Sequence, residues 1–460
     1  MPFIGRQAEL EVLRRAHASR KSALIPIYGR RRIGKSELIQ RFMRDTGGVY
    51  FLGKTAPAAL QLGELMRVAA RALGQPLLAK ATPESWREAL ELIVEHASRG
   101  RKLVLALDEF QWMAQVSLEL PSILQELWDR EWKSSGKVFL ILCGSFVGFM
   151  EREVLGRKSP LFGRRSAQIH LGPLSYLDAA RFFPSWSVTD RARAYFICGG
   201  VPLYLELFES DRSVEQNIEH LIFDDHSPLF HEPDFLLREE LREVESYYAV
   251  LMTLASGSST HGEIARRAQV PERSLGYYLK QLQALGYVDR RFPLKGRKPS
   301  PREVRYAVRD PLLRFWFRFV FANLSFIGHE GGQRTFREMV RPELDAYFGS
   351  CFEALCREAL PWLYRREGVT GHYEVGQYWA PDLQVDVVGL RSEGVTDLGE
   401  CKWGSRGGRR ELERRLGHVI ASYPNPRGAT LQPRAFVQRR PAETPAGAVR
   451  WHDLADLYDV

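Results

Sequence analysis

The chain has 460 residues, enough for about two to four domains at about 100–200 residues each. Hydrophobic residues make up 45% and charged residues 26%, which are ordinary globular values and exclude a wholly disordered chain. The formal net charge of +9 favours a polyanionic partner, above all nucleic acid, although a compositional bias toward Arg would produce the same charge.

Neither a disulfide framework nor a membrane segment is predicted. The 5 cysteines are scattered without a C-x-x-C pair, which argues against a zinc ribbon and fits a reducing cytosol. The N-terminus lacks the charged and then apolar layout of a signal peptide, and no apolar run approaches the roughly 20 residues of a membrane helix. We therefore expect a cytoplasmic protein without a membrane partner.

Strand and helix signals alternate in the first third of the chain. Helical spacing of apolar residues at 9–18, 36–43 and 85–98 alternates with short apolar runs that are typical of buried strands. Because strands separated by helices form a parallel sheet covered on both faces, we expect an α/β fold here. The strands are predicted at 23–28, 49–52, 103–107 and 138–143, with a further candidate at 169–171.

The rest of the chain is predicted to be helical at first and mixed later. The helical pattern from 176 to about 235 is broken by a Gly-Gly-Val-Pro element, and 239–293 predicts helix, turn, helix and strand. An aromatic helix is predicted at 314–326. A helix at 346–360 then precedes two strands, at 383–390 and 397–403.

A glycine-bracketed loop follows the first predicted strand and opens the next predicted helix. It fits the phosphate-binding pattern G-x-x-x-x-G-K-S/T in the strand–loop–helix context that this pattern requires. The glycines let backbone N–H groups curl around phosphate oxygens, and the helix N-terminus adds positive potential. Lys35 would reach the β- and γ-phosphates of ATP, and Ser36 would bind Mg²⁺. The loop comprises Gly29, Arg30, Arg31, Arg32, Ile33, Gly34, Lys35 and Ser36.

An acidic pair ends the third predicted strand. Asp108 and Glu109 follow an apolar run, at the edge of a parallel sheet where ligands bind. Asp108 would bind Mg²⁺ directly or through water, and Glu109 would polarise the attacking water. The strand at 49–52 lies between the two motifs in sequence, which indicates the branch of P-loop proteins with an extra central strand and a catalytic Glu.

Two further groups would complete the nucleotide site, and each has an ordinary alternative. Ser145 follows the fourth predicted strand and would sense the γ-phosphate, or it would cap the next helix. Arg164 and Arg165 would stabilise phosphate charge in the same or a neighbouring subunit, or they would form a solvated pair.

Residues 260–288 have the layout of a helix-turn-helix that leads into a wing. Apolar residues form a stripe on both helices, and Val270-Pro271 makes the turn between them. The alternative to DNA binding is that this module packs on the rest of the protein as a protein–protein element. The wing residues that would contact phosphates are Arg290, Arg291, Lys295, Arg297 and Lys298.

A cluster of carboxylates and a lysine is predicted near the C-terminus. Glu400 and Lys402 project from one face of a strand, and a hairpin turning at Glu393-Gly394 would place Asp386 opposite Glu400. Facing carboxylates favour a hard divalent cation such as Mg²⁺. Lys402 beside that cation would activate water or stabilise the leaving charge at a phosphodiester.

This cluster resembles the PD-(D/E)XK nuclease signature. Glu353, on the preceding helix, would add a ligand or a base. Asp382 follows Pro381 and is the alternative to Asp386, because the two aspartates lie about 13 Å apart along a strand and only one can oppose Glu400. A salt-bridged hairpin that binds no metal is the ordinary alternative for the whole arrangement.

Taken together, the chain resembles the archaeal-type ATPase family, which also occurs in bacteria. The matching elements in the N-terminal half are the box at 3–10, the arginine-rich phosphate loop, Leu161-Phe162-Gly163-Arg164 and Gly199-Gly200-Val201-Pro202. The resemblance implies that Arg6 lies near the nucleotide base or phosphates. Similarity to the wider STAND class of ATPases implies that Pro202 contacts the nucleotide.

The resemblance extends to the nuclease-like C-terminal domain of that family. Its pattern is a helix with Phe-Glu, a strand with Ile-Asp-Val-Val and then Gly-Glu-Cys-Lys-Trp. Phe352-Glu353, 385–388 and 399–403 match this pattern in order, with Val385 in place of Ile. The resemblance therefore favours Asp386 over Asp382 and implies an intact set of nuclease residues.

The expected architecture is an α/β P-loop ATPase with a helical lid, a winged helix and an α/β PD-(D/E)XK-like domain. The predicted parts are the core at 1–172, the lid at 173–238, the winged helix at 239–305, an aromatic linker helix at 306–340 and the nuclease-like domain at 341–460. ATP and Mg²⁺ are the expected cofactors and DNA the expected partner. ATP would control access to the nuclease site. The alternatives are a non-cleaving nucleotide switch or scaffold, which would form a homo-oligomer or bind a partner, and a DNA-binding regulator.

Overall fold

The computed structural model describes residues 3–97, 100–295, 300–404, 408–441 and 447–459. Arg297 and Lys298, predicted as wing residues, lie outside these ranges. The chain forms two compact units, one of Met1–Leu174 with Val201–Leu203 and the other of Ser175–Gly200 with Tyr204–Val460. The finer division into five parts stays a prediction. Within the described ranges, no helix combines the length and the apolar character needed to cross a membrane.

A parallel sheet forms the centre of the first unit, as the sequence predicts. Its central strands are apolar along their whole length because they are buried on both faces. Leu105 faces one hydrophobic core and its neighbour Val104 faces the other. The strands are β1 Ala23–Tyr28, β2 Val49–Leu52, β3 Leu103–Asp108, β4 Val138–Gly144 and β5 Ile169–His170, in the spatial order β2-β3-β4-β1-β5.

Helices supply both cores of this unit. Leu10 and Leu38 pack on the face that contains Val104, whereas Leu65 and Leu90 pack on the face that contains Leu105. The helices are α1 Gln7–Ala18, α2 Lys35–Thr46, α3 Ala58–Leu73, α4 Trp86–Glu95, α5 Phe110–Val116, α6 Leu120–Leu127, α7 Lys133–Ser135 and α8 Val147–Phe149.

The extra central strand of this sheet is β4 and not the segment at 49–52. β4 pairs in parallel with β1 on one side and with β3 on the other. β2 pairs with β3 and lies at the edge of the sheet. Spatial order is set by the crossover connections, so the order of strands along the chain misassigns the central position.

The second unit begins with helices and a short ribbon. At the predicted helix-turn-helix, a helix with an N-terminal capping box and a second helix are followed by an antiparallel ribbon, β6 Val288–Arg291 and β7 Arg305–Val308. Assignment of this module as a winged helix stays a prediction. The helices are α9 Tyr176–Ala180, α10 Val188–Cys198, α11 Pro202–Leu207, α12 Val214–Ile222, α13 Pro228–Glu240, α14 Val244–Ala255, α15 His261–Ala268, α16 Glu272–Ala284, α17 Pro311–Phe315, α18 Leu324–Glu330 and α19 Gly332–Thr335, of which α11 has its first two residues in the first unit.

A mixed sheet completes the second unit. Its strands are β8 Tyr373–Trp379, β9 Gln384–Arg391, β10 Val395–Lys402, β11 Thr430–Val437 and β12 Arg450–Asp453, in the order β12-β11-β10-β9-β8. β8, β9 and β10 are antiparallel neighbours, whereas β10, β11 and β12 are parallel. Helices α20 Leu344–Arg366, α21 Arg409–Ser422 and α22 Leu454–Tyr458 belong to this region.

A buried ion-pair network joins the strands of the mixed sheet to α20. Asp397 is fully buried and accepts hydrogen bonds of 2.6 Å from Nε of Arg434, 2.6 Å from Nε of Arg391 and 2.5 Å from the hydroxyl of Tyr364. Arg434 also donates to both carboxylate oxygens of Glu367, each at 2.6 Å. Because each charge is paired and hydrogen-bonded, the burial is tolerated.

Candidate nucleotide and carboxylate sites

The phosphate loop lies between β1 and α2, and its glycines leave the backbone N–H groups accessible to a bound phosphate. Gly29 has a φ of 149° and Gly34 a φ of 85°, and Arg32 also lies in the left-handed region with a φ of 68°. A Cβ on Gly29 would lie 2.2 Å from the Leu171 carbonyl oxygen, so only glycine fits there. Successive N–H groups in such a turn form a concave anion site.

Lys35 is buried within the loop. Its Nζ donates a 2.9 Å hydrogen bond to the Arg30 carbonyl oxygen. Burial lowers the pKa of Lys35, while the negative charges of Glu109 and Asp108 act in the opposite direction. A phosphate in the loop would offer this ammonium group charged acceptors in place of a backbone carbonyl.

The Asp108 carboxylate connects three elements at the end of β3. Its Oδ2 accepts hydrogen bonds of 2.6 Å from the Ser36 hydroxyl and 2.6 Å from the Tyr50 hydroxyl, and its Oδ1 accepts from the Glu109 N–H at 2.8 Å. Burial and the Asp108 charge raise the pKa of Tyr50. The Ser36 hydroxyl and the Asp108 carboxylate are oxygen donors of the kind that Mg²⁺ takes, so this pair fits a Mg²⁺ ion bound with ATP.

Glu109 is the N-cap residue of α5 and has a left-handed backbone conformation, with a φ of 50°. Its Oε2 accepts a 2.7 Å hydrogen bond from the Ser145 hydroxyl and a hydrogen bond from the Gln111 amide. Ser145 does not cap the next helix, because the N-cap of α8 is Phe146. Ser145 and Gln111 therefore hold the carboxylate that was predicted to orient water.

Arg6 and Pro202 both lie beside the phosphate loop. Arg6 Nη2 donates to the Ile33 carbonyl oxygen at 3.0 Å and to the Gly172 carbonyl oxygen at 2.6 Å. A Cβ built on Gly34 would lie 3.8 Å from Pro202 Cγ, an ordinary van der Waals contact. The two residues that the family resemblance assigns to the nucleotide are thus near the loop.

The other arginines of the predicted site have different surroundings. Arg31 lies over the Phe146 ring with its guanidinium carbon 5.7 Å from the ring centre. Arg164 is held by Asp129, with hydrogen bonds of 2.9 Å and 2.6 Å from its Nε and Nη2, and this pair raises the pKa of Arg164. In this conformation Arg164 belongs to an ion pair with Asp129, which neither of the two sequence interpretations predicted.

The hairpin of β9 and β10 has the register expected from the sequence. Gly399 pairs with Val387, so the next position in the same register places Glu400 opposite Asp386. Asp386 Oδ2 accepts a 3.0 Å hydrogen bond from the Cys401 N–H. Asp382 is exposed and precedes β9.

The carboxylates of Glu353, Asp386 and Glu400 lie near enough to this position to interact electrostatically. Burial raises the pKa of Glu353 to about 7 and that of Glu400 to about 8, and the charge of Asp386 contributes to both. Burial also raises the pKa of Asp386. Glu400 Oε2 forms an ion pair with Arg415, but the buried Oε1 has no hydrogen-bond partner among the described residues.

This donor set fits a hard divalent cation in composition. The oxygen-only ligands and the unpartnered Glu400 Oε1 are features that such a cation would satisfy. Within the described ranges, however, no group of three or more His, Cys, Asp and Glu side chains is already gathered around a common metal position. Lys402 is half-buried at the end of β10, two residues after Glu400, and no described residue forms an ion pair or hydrogen bond with its ammonium group.

Several residues at these sites gave no clear signal in the sequence. Tyr50 and Gln111 contact the acidic pair at the end of β3, yet each lies on an element that carries no phosphate motif. Arg415 faces Glu400 from α21. A polar side chain inside an otherwise apolar strand was the only available hint for Tyr50.

The comparisons agree with the geometry of the first unit. Residues 3–208 match a family model described as an ATPase domain predominantly from Archaea. Residues 316–414 match a family of archaeal and bacterial proteins of unknown function. The first unit therefore has the fold of a P-loop ATPase domain, and residues 316–414 of the second unit are similar to a family without an assigned role.

Individual relatives come from archaea. An uncharacterized protein of Methanocaldococcus jannaschii is 28% identical over 87% of this chain and 87% of its own length. An uncharacterized ATP-binding protein of the same organism is 46% identical over 9% of this chain and 73% of its own length. The solved structure of a Walker-type ATPase of Pyrococcus abyssi covers 68% of this chain and 96% of its own, with 18% identity and a TM-score of 0.52. That structure is similar in fold.

Proposed function

We propose that this chain hydrolyses ATP and acts on nucleic acid, and that ATP controls access to a Mg²⁺-dependent nuclease site in the second unit. The first part of the proposal is supported by the phosphate loop, the Ser36–Asp108 contact and similarity to an ATPase domain and an ATP-binding protein. The second part is supported by the carboxylates at the β9–β10 hairpin.

In the nucleotide site, each residue has a role that follows from its position. Lys35 would bind the β- and γ-phosphates, and Ser36 with Asp108 would hold Mg²⁺. Glu109 would orient the attacking water, and Ser145 would report the state of the γ-phosphate because it donates directly to Glu109. Arg6, Arg30, Arg31, Arg32 and Pro202 would line the site around the nucleotide, and Arg164 would reach it only after leaving Asp129.

One observation carries the nuclease proposal: the buried Glu400 Oε1 has no hydrogen-bond partner among the described residues, and the charge of Asp386 helps raise the pKa of both Glu400 and Glu353. Mutual repulsion of this kind is relieved when the group binds a divalent cation. Asp386 and Glu400 would hold Mg²⁺, which when bound polarises a phosphodiester. Glu353 would act as a further ligand or base, and Lys402 would stabilise the developing negative charge.

A cleavage assay tests the nuclease proposal directly. Linear single- and double-stranded DNA would be incubated with Mg²⁺, with and without ATP, using wild type, Lys402→Ala and Lys35→Ala. We expect Lys402→Ala to lose cleavage while retaining ATP binding, and Lys35→Ala to lose the ATP dependence. Lys137→Ala removes an exposed lysine of the first unit and is the matched control. Equal cleavage by wild type and Lys402→Ala would refute the assignment.

A non-cleaving nucleotide switch is the second candidate, and Arg415 favours it. The ion pair of Arg415 with Glu400 provides a positive charge where a cation would otherwise bind, which suits a hairpin without metal. In that case ATP would promote oligomerisation or partner binding, and the second unit would bind nucleic acid without cutting it. Size-exclusion profiles with and without ATP separate the two candidates. A switch predicts that ATP produces a larger species and that DNA incubated with the protein stays uncut.

A further inference from the structure

An arginine-lined cavity lies in the second unit next to the carboxylates of the hairpin. It has a volume of about 170 Å³ and is lined by residues of β7, α17, α20 and the start of β9. Five guanidinium groups and one carboxylate contribute charged side chains to its wall. These residues are Arg291, Arg305, Arg314, Arg318, Arg357 and Glu353.

Positive charge in the cavity is only partly compensated. Arg318 has Glu343 at 3.5 Å and Arg357 has Glu353 at 4.0 Å, whereas Arg314 contacts the Tyr347 hydroxyl and the Cys351 sulfur. Among the described residues, no carboxylate forms an ion pair with Arg291. Burial and the charges of Arg357 and Arg314 lower the pKa of Arg291 to about 10, although the charges of Asp289 and Glu353 act in the opposite direction. Such a group of like charges is stabilised by an anion that accepts several charge-assisted hydrogen bonds.

The cavity adjoins the proposed cleavage position. Glu353 belongs both to the cavity wall and to the carboxylate group. Gln384, which also lines the cavity, lies two residues before Asp386 on β9, and alternate residues of a strand project to the same face. Arg357 lies between the two features, because its Nη1 donates at 2.6 Å to the Asp386 carbonyl oxygen.

The volume of the arginine-lined cavity restricts which part of a nucleic acid can enter it. A volume of about 170 Å³ admits a phosphate group with little else and excludes a duplex. A second cavity, of about 1000 Å³, shares Arg305, Tyr378 and Trp379 with the first and offers space for the nucleoside that follows. Arg305 lies over the Trp379 ring at 5.0 Å, so the shared wall is both cationic and aromatic, as in sites that bind single strands.

We propose that this cavity binds the terminal phosphate of a nucleic-acid strand and thereby sets a phosphodiester near the strand end beside Glu353, Asp386 and Glu400. The inference rests on the proposed function, since it identifies the substrate feature that the same site recognises. Arg291, Arg305 and Arg314 are positioning residues in this account, because they hold the strand and do not contact the bond that is cleaved.

The test measures strand binding in EDTA, where no cleavage occurs. Fluorescence anisotropy would give the affinity of wild type for single strands that carry a 5′-phosphate, a 3′-phosphate or hydroxyls at both ends, and for a circular strand. We expect one phosphorylated end to bind about tenfold or more tightly than the unphosphorylated and circular strands. Equal affinities for all four would overturn the inference.

Variants locate the effect in the cavity. Arg291→Gln should remove the preference for the phosphorylated end and Arg291→Lys should retain part of it, with thermal unfolding of both compared with wild type. Arg365→Gln is the matched control, because Arg365 is an exposed arginine of α20 that does not line the cavity. Equal losses in Arg365→Gln and Arg291→Gln would contradict the inference.

Two further outcomes separate the sources of the phosphate and the two proposals. Inorganic phosphate that binds as well as the phosphorylated strand would indicate a free-phosphate site and overturn strand-end recognition. Preference for a phosphorylated end without cleavage in Mg²⁺ would reject the nuclease proposal and support the binding site. Cleavage in Mg²⁺ without any preference for a phosphorylated end would support the nuclease proposal and reject the terminal-phosphate site.

Discussion

The Ser36 hydroxyl donates a 2.6 Å hydrogen bond to Asp108 Oδ2 and so joins the first turn of α2 to the end of β3. In P-loop ATPases the corresponding residues hold the Mg²⁺ that accompanies ATP, so Ser36 and Asp108 would hold it here. We predict that Ser36→Ala weakens ATP binding about tenfold in Mg²⁺ but leaves Mg²⁺-free binding nearly unchanged. Calorimetric titrations with Mg²⁺ and with EDTA measure this. A similar loss in both conditions would contradict a role in metal binding.

Glu109 and Ser145 should differ in how they affect hydrolysis. Glu109→Gln removes the carboxylate that would orient water, so we expect turnover to fall about 10²–10⁴-fold with ATP affinity retained. Ser145→Ala removes one hydrogen bond to that carboxylate, so we expect a smaller decrease of about tenfold. Phosphate release at saturating ATP measures both. Unchanged turnover in Glu109→Gln would exclude this residue as the water-orienting group.

Divalent metal binding in the second unit should strengthen as pH rises. The pKa values of Glu353, about 7, and Glu400, about 8, lie above their usual range, so both groups bind protons at pH 6 and release them by pH 9. Metal binding competes with those protons and gains affinity over this interval. Titration of Mn²⁺ into wild type and Glu400→Gln measures the effect, and an affinity that is independent of pH would contradict it.

Arg415 should limit that metal affinity. Its guanidinium pairs with Glu400 and places a positive charge beside the proposed cation position. We predict that Arg415→Ala binds Mn²⁺ several-fold more tightly than wild type, whereas Arg414→Ala, which alters an exposed neighbour, does not. Weaker binding in Arg415→Ala would indicate that this arginine supports the site.

Asp397 is predicted to stabilise the mixed sheet. Asp397→Ala leaves Arg434 buried and without one of its two carboxylate partners, which costs about 3–5 kcal/mol when a buried pair is broken. Asp382→Ala, at an exposed position before β9, should change stability by less than about 0.5 kcal/mol. Native-state hydrogen exchange of β10 and β11 measures the free energy of opening in each variant. Equal values would contradict the network's role.

Local patterns predicted much of this protein and long-range packing accounts for the rest. The phosphate loop was predictable because Gly29, Gly34 and Lys35 lie within one short segment of the sequence. The Asp386–Glu400 register was predictable because a hairpin is symmetrical about its turn. The central position of β4 in the sheet was not predictable, because the spatial order of strands depends on the crossover connections between them. The arginine cavity was also hidden, since residues from 291 to 357 meet there only after folding.

Calorimetry of ATP binding in Mg²⁺ tests the central claim most directly, because every proposal begins with the loop at 29–36 holding a triphosphate. Wild type should bind ATP at one site per chain. Lys35→Ala should bind at least about tenfold more weakly, because it removes the buried ammonium group that would contact the phosphates. Absence of heat for ATP and GTP with wild type, or equal affinity in Lys35→Ala, would contradict the account.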